Sequence, residues 1–164
     1  MLTVRRSKGS DDNRDGKGNI MSDRAADFTG SIPAFYDHGL GSVFLADFAD
    51  DIARRVAASA PTRVLEIAAG TGIVTRRVRD LLPQEAQVIA TDLNPPMLAV
   101  ARRKFRPDEK VEFQPADATA LPYPGASFDV VVCQFGVMFF PDKDKGHREA
   151  HRVLASGGRY LFSV

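Results

Sequence analysis

Short apolar runs alternate along this chain with stretches whose apolar residues return every three or four positions. That alternation predicts strands joined by helices. Val64, Leu65 and Ile67 predict a buried strand over 63–68. After Gly72 the period lengthens, and Val74, Val78, Leu81 and Leu82 fall on one face of a helix over 72–82. Val88-Ile89-Ala90-Thr91-Asp92 predicts a second strand over 87–92. Its helix opens with Asn94 in the capping position and Pro95 at the first helical position, and Met97, Val100, Ala101 and Phe105 make its buried face. A short strand over 111–114 follows. Phe128 to Cys133 reads as a fully buried fourth strand, and a helix over 142–154 turns Ala150, Val153 and Leu154 inward. Ser156-Gly157-Gly158 ends that helix, and Arg159 to Val164 is a fifth strand. Upstream, Phe44, Phe48, Ile52 and Val56 repeat every four residues, with Leu45 and Ala49 beside them, and predict an amphipathic helix ending near Pro61. Strands alternating with helices make parallel βαβ units and an α/β fold.

The chemistry gathers where the first strand gives way to its helix. Ala68-Ala69-Gly70-Thr71-Gly72 is a tight turn of small residues. Such a turn lets a ligand approach the backbone, and the helix start offers unpaired N–H groups to a polar or anionic group. Glu66 stands inside the apolar run near the strand's carboxyl end, where a carboxylate is costly unless paired. Carboxyl ends of strands in an open α/β sheet are also where ligands bind. Asp92 closes the second strand about 20 residues past the glycines, the spacing at which an acid reaches a ribose hydroxyl pair.

Glu66-Ile67-Ala68-Ala69-Gly70-Thr71-Gly72, followed by Asp92, resembles the first motifs of class I S-adenosylmethionine-dependent methyltransferases. The likeness is to the type 11 branch, which includes the ubiquinone/menaquinone-biosynthesis enzymes. The later order Asp117-Ala118, Leu121-Pro122, Phe128-Asp129-Val130-Val131 is similar too, as is the helix-Gly157-Gly158-strand block. The resemblance implies a Rossmann-like doubly wound parallel sheet of about five strands in the order 3-2-1-4-5, flanked by helices. It implies S-adenosylmethionine as cofactor and a small-molecule methyl acceptor. By the same resemblance Gly70, Thr71 and Gly72 hold the amino-acid end of the cofactor, and Glu66 supports that end. Asp92 accepts the ribose hydroxyls, and Leu93 and Met97 flank the adenine. Asp117 and Ala118 read the adenine edge, and Gln134 lies near the methionine part. Ala68 stands where the family has its first glycine, and its methyl group narrows the space beside the ligand. No residue declares itself as a base. The family continues past strand five with a further helix and two more strands. The expectation is therefore a domain over 25–164 lacking those strands, with strand five at an apolar edge; either the chain is a fragment of a longer enzyme or a partner, such as a second copy, covers that edge.

Other positions take plainer readings. Asp129 begins a strand and caps it locally. Cys133 is an inert core residue. Phe135, Val137, Met138, Phe139 and Phe140 cluster beside the expected pocket and either line an apolar substrate site or are core, with core the plainer reading. His147 and His151 stand at i and i+4, but with no third ligand in the pattern they bind no metal. Arg102, Arg103 and Lys104 are a solvated face. Tyr36 is either a lid over the cofactor or an aromatic anchoring a loop, and His38 is a turn residue rather than a base.

Bulk properties narrow the alternatives. The 164 residues are 44% hydrophobic and 26% charged, enough for one domain with a core. A net charge of +1 gives no electrostatic case for nucleic acid or an anionic membrane. The most apolar stretch, Phe128 to Phe140, is about 13 residues and too short to span a bilayer. One cysteine permits no internal disulfide and fits a reducing, cytoplasmic compartment. Residues 1–24 carry no apolar periodicity and are expected to be a disordered extension, with Met21 an alternative start. A NAD-dependent oxidoreductase would want Gly-x-Gly-x-x-Gly, yet Thr75 holds the third glycine position. A non-catalytic or truncated cofactor-binding module is the other alternative.

Overall fold

The computed structural model describes residues 40–164. Their order is α1 (Leu40–Ala57), β1 (Arg63–Ile67), α2 (Ile73–Leu81), β2 (Gln87–Asp92), α3 (Pro95–Arg102), β3 (Val111–Pro115), β4 (Phe128–Gln134), a 3-10 turn (Val137–Phe139), α4 (Lys143–Val153) and β5 (Leu154–Ser163). The expected extension over 1–24, Tyr36, His38 and the side chains of Phe44 and Leu45 lie outside the described residues.

The strands form one sheet in the order β3-β2-β1-β4-β5, and every neighbouring pair is parallel. This is the Rossmann-like doubly wound order. Strand side chains alternate between faces. Val64, Val88, Val130 and Val132 therefore pack with α1 and α2, while Leu65, Ile67, Ile89, Val131 and Cys133 pack with Ala150 and Val153 of α4. Ala90 and Phe113 meet Leu98 and Ala101 of α3. From β3 at one edge the chain returns to the far side of β1 to make β4. That reversal opens a crevice at the carboxyl ends of β1 and β4, the switch point of such sheets. No helix among the described residues is long and apolar enough to cross a membrane.

Several local expectations change. Leu81 is exposed, and α2 buries Thr75 and Arg79 beside Val74 and Val78. The Arg79 guanidinium closes the following turn by donating to the carbonyls of Leu82, Pro83 and Ala86. In α3 the buried positions are Met97, Leu98 and Ala101, and Phe105 lies beyond the helix, its ring tilted against Phe113 with centroids 5.2 Å apart. Met138 and Phe139 are exposed, whereas Val137 and Phe140 are core.

Ser156-Gly157-Gly158 does not end α4. The helix stops at Val153, where the Arg152 and Val153 carbonyls accept from the N–H groups of Ala126 and Ser127. These distant donors supply the cap that glycine was expected to provide. The Ser-Gly-Gly block instead sits inside β5, where pairing skips from Phe128↔Leu154 to Val130↔Arg159. Gly157 has φ +79, and a Cβ on Gly158 would lie 3.0 Å from the Asp129 carbonyl. Asp129 does not cap locally either. Its Oδ2 accepts from the Thr62 N–H and hydroxyl at 2.8 Å and from the Arg63 N–H at 2.9 Å. β1 and β4 start side by side, so one carboxylate holds the unpaired donors at the entry of the central strand.

Candidate functional site

The turn after β1 takes three left-handed positions, Ala68 (φ +55), Gly70 (φ +57) and Gly72 (φ +78). The two glycines serve different ends. A Cβ on Gly72 would lie 2.8 Å from the Ala101 Cβ, so Gly72 lets α2 approach α3. A Cβ on Gly70 would meet nothing within 4 Å, so its backbone faces open space. The Gly70 N–H donates to Asp92 Oδ2 at 2.8 Å, and the Ala69 N–H donates to the Thr91 carbonyl at 2.9 Å. The end of β2 thus fixes the turn after β1.

Asp92 is buried and heavily used. Its Oδ1 accepts from the Asn94 N–H at 2.8 Å and from Asn94 Nδ2 at 3.2 Å. Asn94 occupies the cap position of α3, but its side chain turns to Asp92 instead of capping. A carboxylate offers about four acceptor positions, and three are taken.

Glu66 shares its face of β1 with Val64 and so points toward α2. There its Oε2 accepts from the Thr75 hydroxyl at 2.6 Å. Burial pushes its carboxyl up to about 8, against the pull of the Thr75 hydrogen bond and with a smaller push from Asp92. Thr75 therefore fills with a hydroxyl the position where a dinucleotide fingerprint has its third glycine. Thr71 is buried, and its Oγ1 has no hydrogen-bond partner among the described residues.

Glu66, Ala68, Ala69, Gly70, Thr71, Ile73, Val74, Gln134 and Phe135 line one cleft of about 60 Å³. The expected residues Glu66, Ala68, Gly70, Thr71 and Gln134 are thus brought together, with Asp92 joined through Gly70. Gly72, Leu93, Met97, Asp117 and Ala118 are outside that lining. Leu93 is 60% exposed beyond Asp92, Met97 is buried in α3, and Ala118 is buried beside an exposed Asp117. Asp117 Oδ1 accepts from the N–H and hydroxyl of Thr119 at 2.7 and 2.8 Å, a local turn. Ala69, Ile73, Val74 and Phe135 are the added lining residues, and Thr75 joins through its hydrogen bond to Glu66. Thr75 carried one signal, a hydroxyl on the first turn of a helix whose strand holds a carboxylate. Phe135, with φ +53, belongs to the apolar cluster expected beside the pocket, as substrate lining or as core.

Ala68 keeps its methyl group at the expense of a neighbour. A Cβ on Gly136 would overlap the Ala68 Cβ and lie 2.8 Å from Cys133 Sγ. Glycine at 136 thus makes room for alanine at 68. The left-handed backbone still costs an alanine about 1–2 kcal/mol, part of which glycine returns as chain entropy. Ala68→Gly is expected to stabilise the chain by about 0.5–1 kcal/mol in urea unfolding. An unchanged or lower midpoint would show that the Ala68 methyl contact outweighs the strain.

A family model described as a methyltransferase domain matches residues 65–162. The demethylmenaquinone methyltransferase of Thermus thermophilus is 46% identical over 103 residues, 62% of this chain and 46% of that protein. The ubiquinone/menaquinone biosynthesis C-methyltransferase UbiE of Shewanella frigidimarina is 36% identical over 146 residues, 85% of this chain and 58% of that one. The chain thus spans about half the length of these curated relatives. The crystal structure of the YcgJ protein from Bacillus subtilis superposes with a TM-score of 0.63 at 32% identity, covering 71% of this chain and 50% of its own. The matched span begins in β1 and ends in β5, and so holds the glycine turn, Asp92 and both walls of the cleft; the chain belongs to the methyltransferase domain family.

Proposed function

We propose that this chain binds S-adenosylmethionine across the carboxyl ends of β1, β2 and β4 and serves methyl transfer to a small-molecule acceptor. The observation that carries this reading is the Gly70 backbone, left-handed, open on its ligand side and held by Asp92. The residues fit the cofactor. The unpartnered, buried Thr71 hydroxyl and the Glu66 carboxyl stand beside that turn, ready for a polar amino-acid end. About 60 Å³ is room for such an end and not for a nucleoside. The nucleoside would lie outward along Asp92 and the exposed Leu93, with Asp117 and the Ala118 backbone at its adenine edge. Met97, buried in α3, supports that wall from behind.

The cofactor supplies a methyl group already activated by its sulfonium. What the chain contributes is placement. Asp92 offers its remaining acceptor position to a ribose hydroxyl, and a second becomes available when the Asn94 side chain turns away. Glu66 offers a negative group to the α-ammonium, and Gln134 borders the reacting end. Holding donor and acceptor in line is worth up to about 7–11 kcal/mol of barrier. The names of the relatives describe a demethylmenaquinone methyltransferase and a C-methyltransferase of ubiquinone and menaquinone biosynthesis, and a small aromatic molecule is the acceptor class we assign here. A cytoplasmic location accompanies this reading.

The test is calorimetric titration of the full chain with S-adenosylmethionine, with NAD as control. Binding of S-adenosylmethionine and not of NAD is expected. A folded chain that bound neither, or bound NAD instead, would overturn the assignment.

A further inference from the structure

Phe135 stands out against the rest of the site. It is a bulky, non-glycine residue at φ +53, where a side chain costs roughly 1–2 kcal/mol. Backbone strain of this kind concentrates at functional sites. Three contacts hold it. Its N–H donates to the Ser163 carbonyl at 3.0 Å, tying the end of β4 to the end of β5. Its ring meets the Phe48 ring of α1 edge to face, with centroids 5.3 Å apart at 79°. The next residue, Gly136, has no room for a side chain against Ala68 and Cys133. These contacts set the path of the chain after Gln134 and leave Phe135, half-buried, in the lining of the cleft, with the Ala68 to Thr71 turn also lining it.

The cofactor's own connectivity gives that wall a role, if the reading above holds. Its sulfonium lies between the amino-acid end and the ribose. With those ends at Thr71 and Asp92, the positive sulfur falls inside the stretch that Gln134 and Phe135 border. An aromatic face attracts a cation, more strongly where water is excluded. The substrate cofactor carries that charge, whereas the demethylated product, a thioether, does not. Glu66 and Asp92 act on the ammonium and ribose, which both forms share, and so cannot tell them apart.

We propose that Phe135 is a specificity-determining residue whose ring, held in a left-handed turn on the cleft wall, favours the sulfonium cofactor over its thioether product. This rests on the proposed function and goes beyond it.

The experiment is calorimetric titration of the full chain and its variants with S-adenosylmethionine and, separately, S-adenosylhomocysteine. Phe135→Leu is expected to weaken the first about three- to tenfold and the second less than twofold. Phe135→Tyr, which keeps the aromatic face, should keep the ratio of the two affinities. Phe135→Met provides a second ringless side chain of similar size should the leucine variant not fold. Equal losses for both ligands would show a merely structural role and overturn the proposal, as would no loss for either. If the unaltered chain bound neither ligand, the cofactor reading would fail first and this inference with it. Binding of both with an unmoved ratio would sink the inference alone.

Discussion

Asp92→Ala is expected to weaken S-adenosylmethionine binding at least tenfold. Two losses combine. A hydrogen bond to a charged acceptor contributes about 1.5–3 kcal/mol, and about 1.4 kcal/mol is already tenfold in affinity. The variant also releases the Gly70 N–H and the Asn94 backbone, so the turn after β1 loses its hold on β2. Asp92→Asn separates the two. Its amide oxygen still accepts from one backbone donor, but the charge is gone, so its affinity should fall between those of the other two forms. Calorimetric titration reads all three. An alanine variant that bound as tightly as the unaltered chain would remove Asp92 from the site.

Glu66 gives the second large effect, and it is one of pH. Its carboxyl sits at about 8 in the folded chain, against an ordinary 4.5, chiefly because burial disfavours the charge. The folded state therefore holds this proton more tightly than the unfolded state. The resulting stabilisation is fully present below about pH 4.5 and is lost as pH rises through about 8. At about 1.4 kcal/mol for each pH step between those values, the loss is on the order of a few kcal/mol. Glu66→Gln keeps an acceptor for the Thr75 hydroxyl and has no proton to lose. Urea unfolding between pH 5 and pH 9 should show the unaltered chain weakening and the glutamine variant staying nearly level. Parallel curves for the two proteins would mean that Glu66 is ionised throughout. The same proton bears on ligand binding. A cationic ammonium beside Glu66 favours the carboxylate, so the site accommodates a positive ligand by giving up a proton.

The architecture was legible because it depends on local pattern. Val64 to Ile67, Val88 to Asp92 and Phe128 to Cys133 are apolar runs bounded by turn residues, and each became a strand within a residue or two of its expected ends. The sheet order follows from parallel pairing and the family resemblance. Helix faces were read less well. Leu81 and Val100 obey the helical period but lie at the ends of short helices, where the chain's next turn decides which side is covered.

Misreadings fell where a polar group finds a distant partner. Asp129 looks like a local cap in the sequence, yet its donors at Thr62 and Arg63 are 67 and 66 residues away. Ser156-Gly157-Gly158 looks like a helix stop, yet Ala126 and Ser127, just before β4, cap α4. Asp117 keeps a local partner, its Oδ1 accepting from the Thr119 N–H two residues on.

The amino-acid sequence by itself determined the α/β class, the strand and helix order, and the chemistry of the turn after β1. Hydrophobic period, glycine and carboxylate placement are properties of neighbouring residues, and neighbours are visible in a string. Only the tertiary structure decided which groups share the cleft and in what state. Glu66 acquires its proton from burial under α2, and Gly70 acquires its hold from the end of β2. Ala68 is tolerated because Gly136 lies against it, and Phe135 is held by Ser163 and Phe48. Each of these depends on residues remote in sequence meeting at a set distance, and on the loss of water when they do.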